Sequence, residues 1–391
     1  MLLSLSVSNF LVFKSRVTLS FLAEGKAGRF SSNASPVGDY QVLKAVCLYG
    51  PNNVGKSCLI KAFDFLQDAL EGKNLADVAN VFRADEPTEL TVEFLSQEEA
   101  YRFAFSYESS SHRFLSEELS HLSTKGSSEV LYRRDFLHGI YAAKTPEETA
   151  RLRSSSNKLL YPFSAKAKTS SPALKAKRIL TALSHSLEIV ASSDLTLAKT
   201  AEKMAKDPLM RDKIVAFLKA ADVDIQGFRY APLDASHLAT TTRGRSLSSE
   251  KYDSLGTKKL EALSSSIISA LQDGTTLIVD ELDSSLHYKL TRAIVALFNN
   301  LANVKGQLLF STQDITLLDT KTLFRPDQIW FFAKGERGPK LYPLSRVLGS
   351  DGGSEDAIER YLHGEFGALP SPQLIGTLLS IATERSDAKR K

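Results

Sequence analysis

The sequence predicts an α/β fold: a mainly parallel β-sheet with flanking helices, joined to an antiparallel β lobe and an inserted helical lobe. Three observations predict it. An apolar run and an amphipathic run flank a glycine-containing turn at residues 50–57. Strand-like and helix-like patterns alternate between residues 260 and 332, which is typical of parallel sheets because their strands need crossover helices. Alternating runs separated by polar turns fill residues 88–134, which favours an antiparallel meander.

The bulk composition is that of a globular protein. Of 391 residues, 43% are apolar and 24% charged, and the net charge of +4 is too small to argue for a nucleic-acid partner. No run of about 18 apolar residues occurs, so no membrane span is predicted. The N-terminus alternates like a strand rather than a signal peptide, and Cys47 and Cys58 form no C-x-x-C pair. We expect a cytoplasmic protein without a disulfide framework or a zinc site.

Changes of pattern divide the chain into four parts. Residues 1–143 carry the glycine-containing turn and the antiparallel lobe. Residues 144–225, including Leu187–Val190, lack strand-like runs and are rich in Ala, Leu, Lys and Ser at helical spacing, so a helical insertion is predicted. Strand–helix alternation returns in residues 226–384. Residues 385–391 end in a basic run and are predicted to be a disordered tail.

The turn at residues 50–57, here called the phosphate loop, fits the pattern G-x-x-x-x-G-K-[ST]. A buried strand is predicted before it at Ala45–Tyr49 and an amphipathic helix after it. The glycines let backbone N–H groups turn toward a triphosphate, and the helix N-terminus adds its positive dipole end. Lys56 is predicted to reach the β- and γ-phosphates, and the Ser57 hydroxyl to ligate Mg²⁺. The residues expected to contact ATP here are Gly50, Pro51, Asn52, Asn53, Val54, Gly55, Lys56, Ser57 and Cys58.

A second group of candidates follows the apolar run Thr276–Val279. Asp280 is predicted to hold Mg²⁺ through the coordination shell of the ion. Glu281 is predicted to polarise the attacking water. Strands often end in acidic turns, so the pair gains weight only from its surroundings. About 20 residues upstream, Ser254 and Gly256 open a predicted helix, here called the signature turn. Such a helix N-terminus can receive a γ-phosphate through the Ser hydroxyl and Gly N–H groups.

The order of these motifs resembles the ABC/SMC class of ATPase heads, and it does so over nearly the whole chain. After the phosphate loop and a long insertion come the signature turn and the apolar-Asp-Glu strand end. Two further stretches follow, Leu282-Asp283-Ser284 and Ser311-Thr312-Gln313-Asp314. The resemblance implies an ABC/SMC-like P-loop ATPase head. ATP would be held between two heads of a homodimer or higher homo-oligomer.

The same resemblance implies roles for individual residues. Ser254 and Gly256 would act on the nucleotide bound by the partner chain. Asp283 would lie at the dimer seam. Gln313 would stand at the switch position and, with Lys56 and Glu281, would belong to the catalytic set.

A closer resemblance is to AAA-type ATPases of AbiL-like (RloA-like) abortive-infection operons in prokaryotes. It rests on five stretches, namely Ser8-Asn9-Phe10 with Phe13-Lys14-Ser15, Gly256-Thr257-Lys258-Lys259-Leu260, residues 280–287, residues 324–331 and residues 361–370. The resemblance implies a sensor or regulatory ATPase of an anti-phage system. Its partner would be a separate, operon-encoded effector, often a nuclease.

The sequence departs from these patterns at three places. The motif near the N-terminus, here called the early motif, usually reads Asn-Phe-Arg. In this chain Leu11 follows Asn9 and Phe10 in place of the Arg, which puts one nucleotide contact in question. Gln313 stands where the switch residue is usually His. A Gln side chain can orient a water by hydrogen bonds, but unlike His it cannot change its own charge, so slow hydrolysis is expected. No glutamine loop is identified, because Gln97 lies in a Ser-Gln-Glu-Glu turn that is typical of plain surface.

The helical insertion leaves two interpretations open. Between Lys144 and Lys219 it holds 15 Lys and Arg against 7 Asp and Glu, with Lys166 and Lys168 among the prominent ones. This excess is compatible with contact to a nucleic-acid backbone, and equally with a solvated helical face. Aromatic residues are nearly absent from it, so base stacking is not supported.

Two alternative functions are also compatible with the sequence. One is a nucleotide-gated clamp that closes on a partner with negligible turnover. The other is an ATPase of the DNA-repair type, which would need long coiled-coil arms that this sequence lacks. His287 and His363 have no Gly-x-Ser-x-Gly motif to partner them, so we interpret both as packing or interface residues.

Overall fold

The computed structural model describes residues 1–25, 28–123, 128–154, 172–191, 197–231, 234–242, 244–336, 338–348 and 356–369. The strands are β1 (Leu2–Ser8), β2 (Val17–Ser20), β3 (Ala34–Val37), β4 (Tyr40–Leu43), β5 (Ala45–Tyr49), β6 (Thr88–Ser96), β7 (Glu99–Glu108), β8 (Arg113–Leu122), β9 (Ser128–Asp135), β10 (Ile140–Ala143), β11 (Leu187–Val190), β12 (Gly227–Ala231), β13 (Asp234–Thr242), β14 (Arg245–Ser248), β15 (Thr276–Val279), β16 (Gln307–Ser311), β17 (Ile329–Ala333) and β18 (Lys340–Pro343). The α-helices are α1 (Lys56–Glu71), α2 (Pro146–Ser154), α3 (Pro172–His185), α4 (Leu197–Lys206), α5 (Pro208–Ala220), α6 (Ser249–Tyr252), α7 (Leu255–Asp273), α8 (Tyr288–Phe298), α9 (Ser345–Leu348) and α10 (Ala357–Leu362).

A six-stranded sheet carries the phosphate loop. Its order is β11-β15-β16-β5-β17-β18, and every neighbouring pair is parallel except β17 with β18. Strands β5, β15, β16 and β17 are buried along their whole length, as expected for a parallel sheet covered on both faces. Because parallel strands run in one direction, the carboxyl ends of β5, β15 and β16 lie at one edge of the sheet. The predicted α/β class is confirmed.

The two faces of this sheet belong to two hydrophobic cores. Along β5, Val46 and Leu48 pack into the core shared with α1 and the antiparallel sheet, whereas Ala45, Cys47 and Tyr49 pack into the core shared with α7. This alternation follows from the two-residue period of a strand. Helix α1 buries the apolar stripe that the sequence predicts, and it ends at Gly72 in the left-handed conformation.

The antiparallel lobe is a seven-stranded sheet of order β10-β9-β8-β7-β6-β1-β2. It contains the predicted meander and takes in the N-terminal strand β1, which pairs with β6. The sheet packs on α1 through aromatic side chains, because Phe65 of α1 contacts Phe10, Phe105 and Tyr107 at ring-centroid distances of 5.5–6.0 Å. The lobe therefore braces the helix that begins at the phosphate loop.

The helical reading of Leu187–Val190 is wrong. These residues form β11, which pairs in parallel with β15 at the edge of the central sheet, with Leu187 opposite Thr276 and Val190 opposite Val279. The run Leu-Glu-Ile-Val is too short for its period to distinguish strand from helix, and pairing to β15 decides its state. On either side of it, α3 packs into the core of α1, and α4 and α5 pack into the core of α7. The helices in the described part of 144–225 thus contribute to both hydrophobic cores of the sheet.

Several predictions from the sequence fall outside the described residues or stay untested. Lys166, Lys168 and the tail at 385–391 lie outside them, and the domain boundaries stay predictions. Within the part of the chain that the structure covers, no helix is both long and apolar enough to cross a membrane.

Candidate active site

The phosphate loop joins β5 to α1 through a backbone that demands glycine at two positions. Gly50 has φ 151° and Gly55 has φ 113°, which L side chains rarely adopt. A Cβ at Gly50 would lie 2.6 Å from the Phe332 carbonyl oxygen, and a Cβ at Gly55 would lie 2.7 Å from Cε1 of Phe13. The loop is therefore shaped by β17 beneath it and by the N-terminal turn beside it. Gly55 leads directly into α1, so the helix N-terminus opens onto the loop.

Lys56 is buried and turned onto the phosphate loop. Its Nζ donates hydrogen bonds to the carbonyl oxygens of Gly50 at 2.5 Å and Pro51 at 2.9 Å. Burial lowers the pKa of Lys56, and Asp280, Glu281 and Asp283 oppose that effect by favouring the charged form. The Lys56 ammonium group therefore lies against the backbone of the phosphate loop, and in a loop of this pattern the lysine is the cation that reaches the β- and γ-phosphates of a nucleotide.

Asp280 and Ser57 are the two residues predicted to serve Mg²⁺. Asp280 follows β15 and is buried, and its Oδ1 accepts a hydrogen bond from the Ser311 hydroxyl. Ser57 lies exposed in the first turn of α1. Within the described ranges, no cluster of three His, Cys, Asp or Glu side chains could hold a metal by itself. One carboxylate and one hydroxyl fit Mg²⁺, which keeps several waters and is commonly bound through few protein oxygens together with substrate phosphates.

Glu281 is held by its backbone in an unusual conformation. It has φ 54°, in the left-handed region that non-glycine residues rarely adopt. Its N–H donates to Oγ of Ser311 at 2.8 Å, and the same hydroxyl donates to Asp280. Ser311 at the end of β16 therefore orients both carboxylate residues. In the sequence Ser311 was named only as part of a motif, and its signal is a hydroxyl at the end of the strand that lies between β15 and β5.

Gln313 links the phosphate loop to the segment after Asp280. Its Nε2 donates to Oδ1 of Asn52 at 3.0 Å, and its backbone N–H donates to Oδ2 of Asp283 at 3.2 Å. The structure thus brings three predicted residues, Asn52, Asp283 and Gln313, into one hydrogen-bonded group at the carboxyl edge of the sheet.

The signature turn lies at the start of α7. Ser254 caps this helix, because its Oγ accepts a hydrogen bond from the Thr257 N–H at 3.1 Å. A Cβ at Gly256 would lie 2.5 Å from the Ser285 carbonyl oxygen, so glycine is needed there for close packing. No pattern in the sequence predicts this contact. Ser254 is exposed and Leu255 is 72% exposed, so this turn forms part of the surface.

The early motif has a structural role in this chain. Asn9 is buried, and its Nδ2 donates to the carbonyl oxygens of Arg83 at 3.0 Å and Glu86 at 2.6 Å. Leu11, which stands where the motif usually has Arg, has φ 46°, and its N–H donates to the Val78 carbonyl oxygen at 2.6 Å. The motif therefore anchors the segment after α1, and a role for Leu11 toward a nucleotide stays untested.

Two buried residues of α7 with ionisable side chains lie behind this edge; Lys259 was named from the sequence only within a resemblance motif, and Glu261 was not named at all. Lys259 is 4% exposed, and burial lowers its pKa to about 8 against the opposing charges of Asp283, Glu281 and Asp280. Glu261 is fully buried; burial, aided by the nearby Asp253, raises its pKa to about 8. The signal that both share in the sequence is an ionisable residue immediately beside the apolar stripe of a helix.

The histidines have ordinary roles. His287 caps α8, since its Nδ1 accepts a hydrogen bond from the Lys289 N–H at 3.3 Å, and its ring lies 4.6 Å from that of Tyr288. His363 ends α10. Neither role requires a catalytic interpretation.

One protein-family profile and several solved structures are similar to this chain. A protein-family profile described as "AAA domain, putative AbiEii toxin, Type IV TA system" matches residues 45–319, more than half of the chain. Among solved structures, the SMC head domain from Thermotoga maritima is 13% identical, with a TM-score of 0.41, over 88% of this chain and 98% of that chain. The crystal structure of an SMC head bound to the C-winged helix domain of ScpA is 11% identical, with a TM-score of 0.46, over 88% of this chain and 97% of that chain. No curated protein matches the chain.

Proposed function

This chain belongs to the AAA-domain family whose description names the AbiEii toxin, and from that membership we propose that it is a Mg²⁺-dependent ATPase that uses ATP as a conformational switch. ATP would close a dimer in which each chain completes the site of the other. The protein would act in the cytoplasm as the sensor or regulatory subunit of a prokaryotic anti-phage, abortive-infection system of the AbiL type. Its partner would be a separate effector such as a nuclease.

One observation carries the ATPase proposal: residues from three strand ends meet at one edge of the sheet. Lys56 follows β5, Asp280 and Glu281 follow β15, and Gln313 follows β16. Hydrogen bonds join the three ends, from Gln313 to Asn52 and from Ser311 to Asp280. This edge is where parallel α/β sheets bind ligands, and its donors match the parts that phosphoryl transfer needs.

Each part of this edge would have a separate task. Lys56 and the N-terminus of α1 would bind the β- and γ-phosphates, and Ser57 and Asp280 would hold Mg²⁺, which neutralises phosphate charge when bound. Glu281 would orient and polarise the attacking water. Gln313 can orient that water or a phosphate oxygen by hydrogen bonds without changing its own charge, which favours slow turnover. Catalysis would rest on positioning and electrostatics.

The dimer proposal rests on the exposed signature turn. Ser254 and Leu255 lie at the surface at the N-terminus of a 19-residue helix, where a γ-phosphate bound by another chain could be received. An isologous dimer would form two such composite sites. The anti-phage role and the effector rest on the resemblance to abortive-infection ATPases and on the family description. Nucleic-acid contact through the basic insertion stays an alternative, as does a clamp that closes without turnover.

The test is ATP hydrolysis by the purified full-length chain with Mg²⁺ and with EDTA. We expect slow phosphate release with Mg²⁺ and none with EDTA. Sedimentation with ATP, ADP or no nucleotide should show a dimer favoured by ATP. Failure to bind ATP would contradict the proposal, whereas an ATP-induced dimer without phosphate release would support the clamp.

A further inference from the structure

The segment that carries Glu281 is a strained turn. We call residues 280–286 the carboxylate turn. Two of its non-glycine residues, Glu281 at φ 54° and Ser285 at φ 60°, have left-handed backbones. Such conformations persist only where surrounding contacts hold them. The contacts that hold this turn therefore decide where the Glu281 carboxylate lies.

Lys259 supplies three of those contacts from a different element. Its Nζ donates to the carbonyl oxygen of Glu281 at 2.5 Å, to the carbonyl oxygen of Ser284 at 2.9 Å and to Oγ of Ser284 at 2.6 Å. An ammonium group has three donors and no acceptor. Every donor of Lys259 is thus engaged by the carboxylate turn, from a side chain that is 4% exposed.

The same face of α7 makes a second close contact with this turn. Gly256 lies three residues before Lys259, so the two share one side of the helix. Gly256 packs against the Ser285 carbonyl so closely that a Cβ there would lie 2.5 Å from the oxygen. The first turns of α7 and the carboxylate turn therefore form one mechanical unit, with the signature turn at one end and Glu281 at the other.

We propose that Lys259 is a positioning residue that ties the carboxylate turn to the signature helix and thereby sets the position of Glu281. The inference rests on the proposed ATPase function and deepens it. Movement of the signature turn on a nucleotide held by the partner chain would be passed through Gly256 and Lys259 to Glu281 of the same chain. Nucleotide binding at one composite site would then change the position of Glu281 at the other composite site. Lys259 itself would touch neither nucleotide nor water.

The variants are chosen to separate this role from general stability. Lys259→Met keeps an unbranched stem of similar length and removes the ammonium group. Lys259→Arg restores a buried cation with several donors. Lys258→Met is the matched control, because it removes the neighbouring lysine of the same helix, whose Nζ donates to the Glu250 carbonyl oxygen on α6. Ser284→Ala removes one acceptor and leaves the ammonium group in place.

The first measurement is amide hydrogen exchange over the carboxylate turn, which needs no catalysis. The N–H of Ser284 donates to the Glu281 carbonyl oxygen at 3.1 Å, and that of Leu286 donates to the Asp283 carbonyl oxygen at 3.1 Å. We expect faster exchange of these amides in Lys259→Met, rates near the parental values in Lys258→Met, and partial recovery in Lys259→Arg. Ser284→Ala should shift exchange in the same direction by less, and it decides the matter if Lys259→Met fails to fold.

The second measurement is steady-state ATP hydrolysis. We expect kcat of Lys259→Met to fall by about 10-fold or more, as misplacement of a catalytic group by a fraction of an ångström would cause, with KM for ATP within about twofold. Unchanged exchange in Lys259→Met overturns the proposal, and so does faster exchange with an unchanged kcat. If the parental chain and Lys258→Met both fail to hydrolyse ATP, the proposed function fails. Exchange then still decides whether Lys259 holds the turn.

Discussion

The phosphate loop and the carboxylate turn lie at the same edge of one sheet, but they are built in different ways. The loop is eight consecutive residues whose shape follows from Gly50 and Gly55 and whose cation, Lys56, bonds to carbonyls five and six residues away. The carboxylate turn takes its shape from Lys259 and Ser311, which are 22 and 30 residues from Glu281. The proposed phosphate-binding site is therefore local in sequence, whereas the turn that carries the proposed water-polarising residue depends on the assembled fold.

The largest effect should come from a change in the phosphate loop. Lys56→Ala removes the only side chain of the loop that carries a cation, so we expect ATP binding to be abolished. Calorimetric titration with ATP measures this, with circular dichroism to show that the fold is intact. Near-parental affinity would mean that the phosphate loop is not the nucleotide site.

The carboxylate turn should give the opposite signature, intact binding with lost turnover. Glu281→Gln keeps a hydrogen-bonding side chain but is a far poorer base, so we expect hydrolysis to fall by about 10²–10⁴-fold. ATP affinity should stay within a few fold of the parental value. An ATP-bound dimer should accumulate and be detected by size-exclusion chromatography. Hydrolysis at the parental rate would remove Glu281 from the water-polarising role.

A mixed dimer tests whether the phosphate loop and the signature turn act together across an interface. Lys56→Ala and Ser254→Arg should each be inactive as homodimers, because every composite site then carries one lesion. In the mixed dimer one site carries both lesions and the other carries neither, so part of the parental activity should return. Phosphate release is followed while one variant is titrated into the other.

The control for this experiment is a demonstration, by tagged pull-down, that mixed dimers form. Activity that stays at zero across the titration, although mixed dimers are present, would rule out a signature turn acting in trans.

The smallest effect concerns stability behind the carboxylate turn. The pKa of Glu261 is about 8 in the folded chain, against an ordinary value of 4.5. Between these values the folded state holds a proton that the unfolded state releases, so the free energy of unfolding falls as pH rises from about 4.5 to about 8. Glu261→Gln has no carboxyl group to ionise at this position, so it avoids this fall in the free energy of unfolding. Because one pKa unit corresponds to about 1.4 kcal/mol, the melting temperature of Glu261→Gln should exceed the parental one at pH 8.5.

The comparison needs thermal unfolding at pH 5 and pH 8.5. At pH 5 the parental Glu261 is largely protonated, so the advantage of Glu261→Gln should be small there and grow with pH. Glu250→Gln, a change at an exposed carboxyl group of α6, serves as the control and should show no such growth. An advantage that is equal at both pH values would contradict the raised pKa.

The sequence by itself determined the features whose cause is local. The phosphate loop was predictable because its glycines, its lysine and its flanking periods are contiguous, and the antiparallel meander because strand alternation repeats every two residues. It was also predictable that the motifs which follow strands would lie at one edge of the sheet, because the carboxyl ends of parallel strands share one edge. None of these inferences needs a contact between distant residues.

Only the tertiary structure decided the rest. Leu187–Val190 became a strand because β15 offers it a pairing edge, and no period in four residues could show that. Gly256 is required by the Ser285 carbonyl, a steric contact that the signature pattern does not reveal. Gln313 and Asn52, 261 residues apart, meet because β16 lies beside β5. Such contacts depend on which strands are neighbours, and strand order is a property of the folded chain rather than of any local stretch of it.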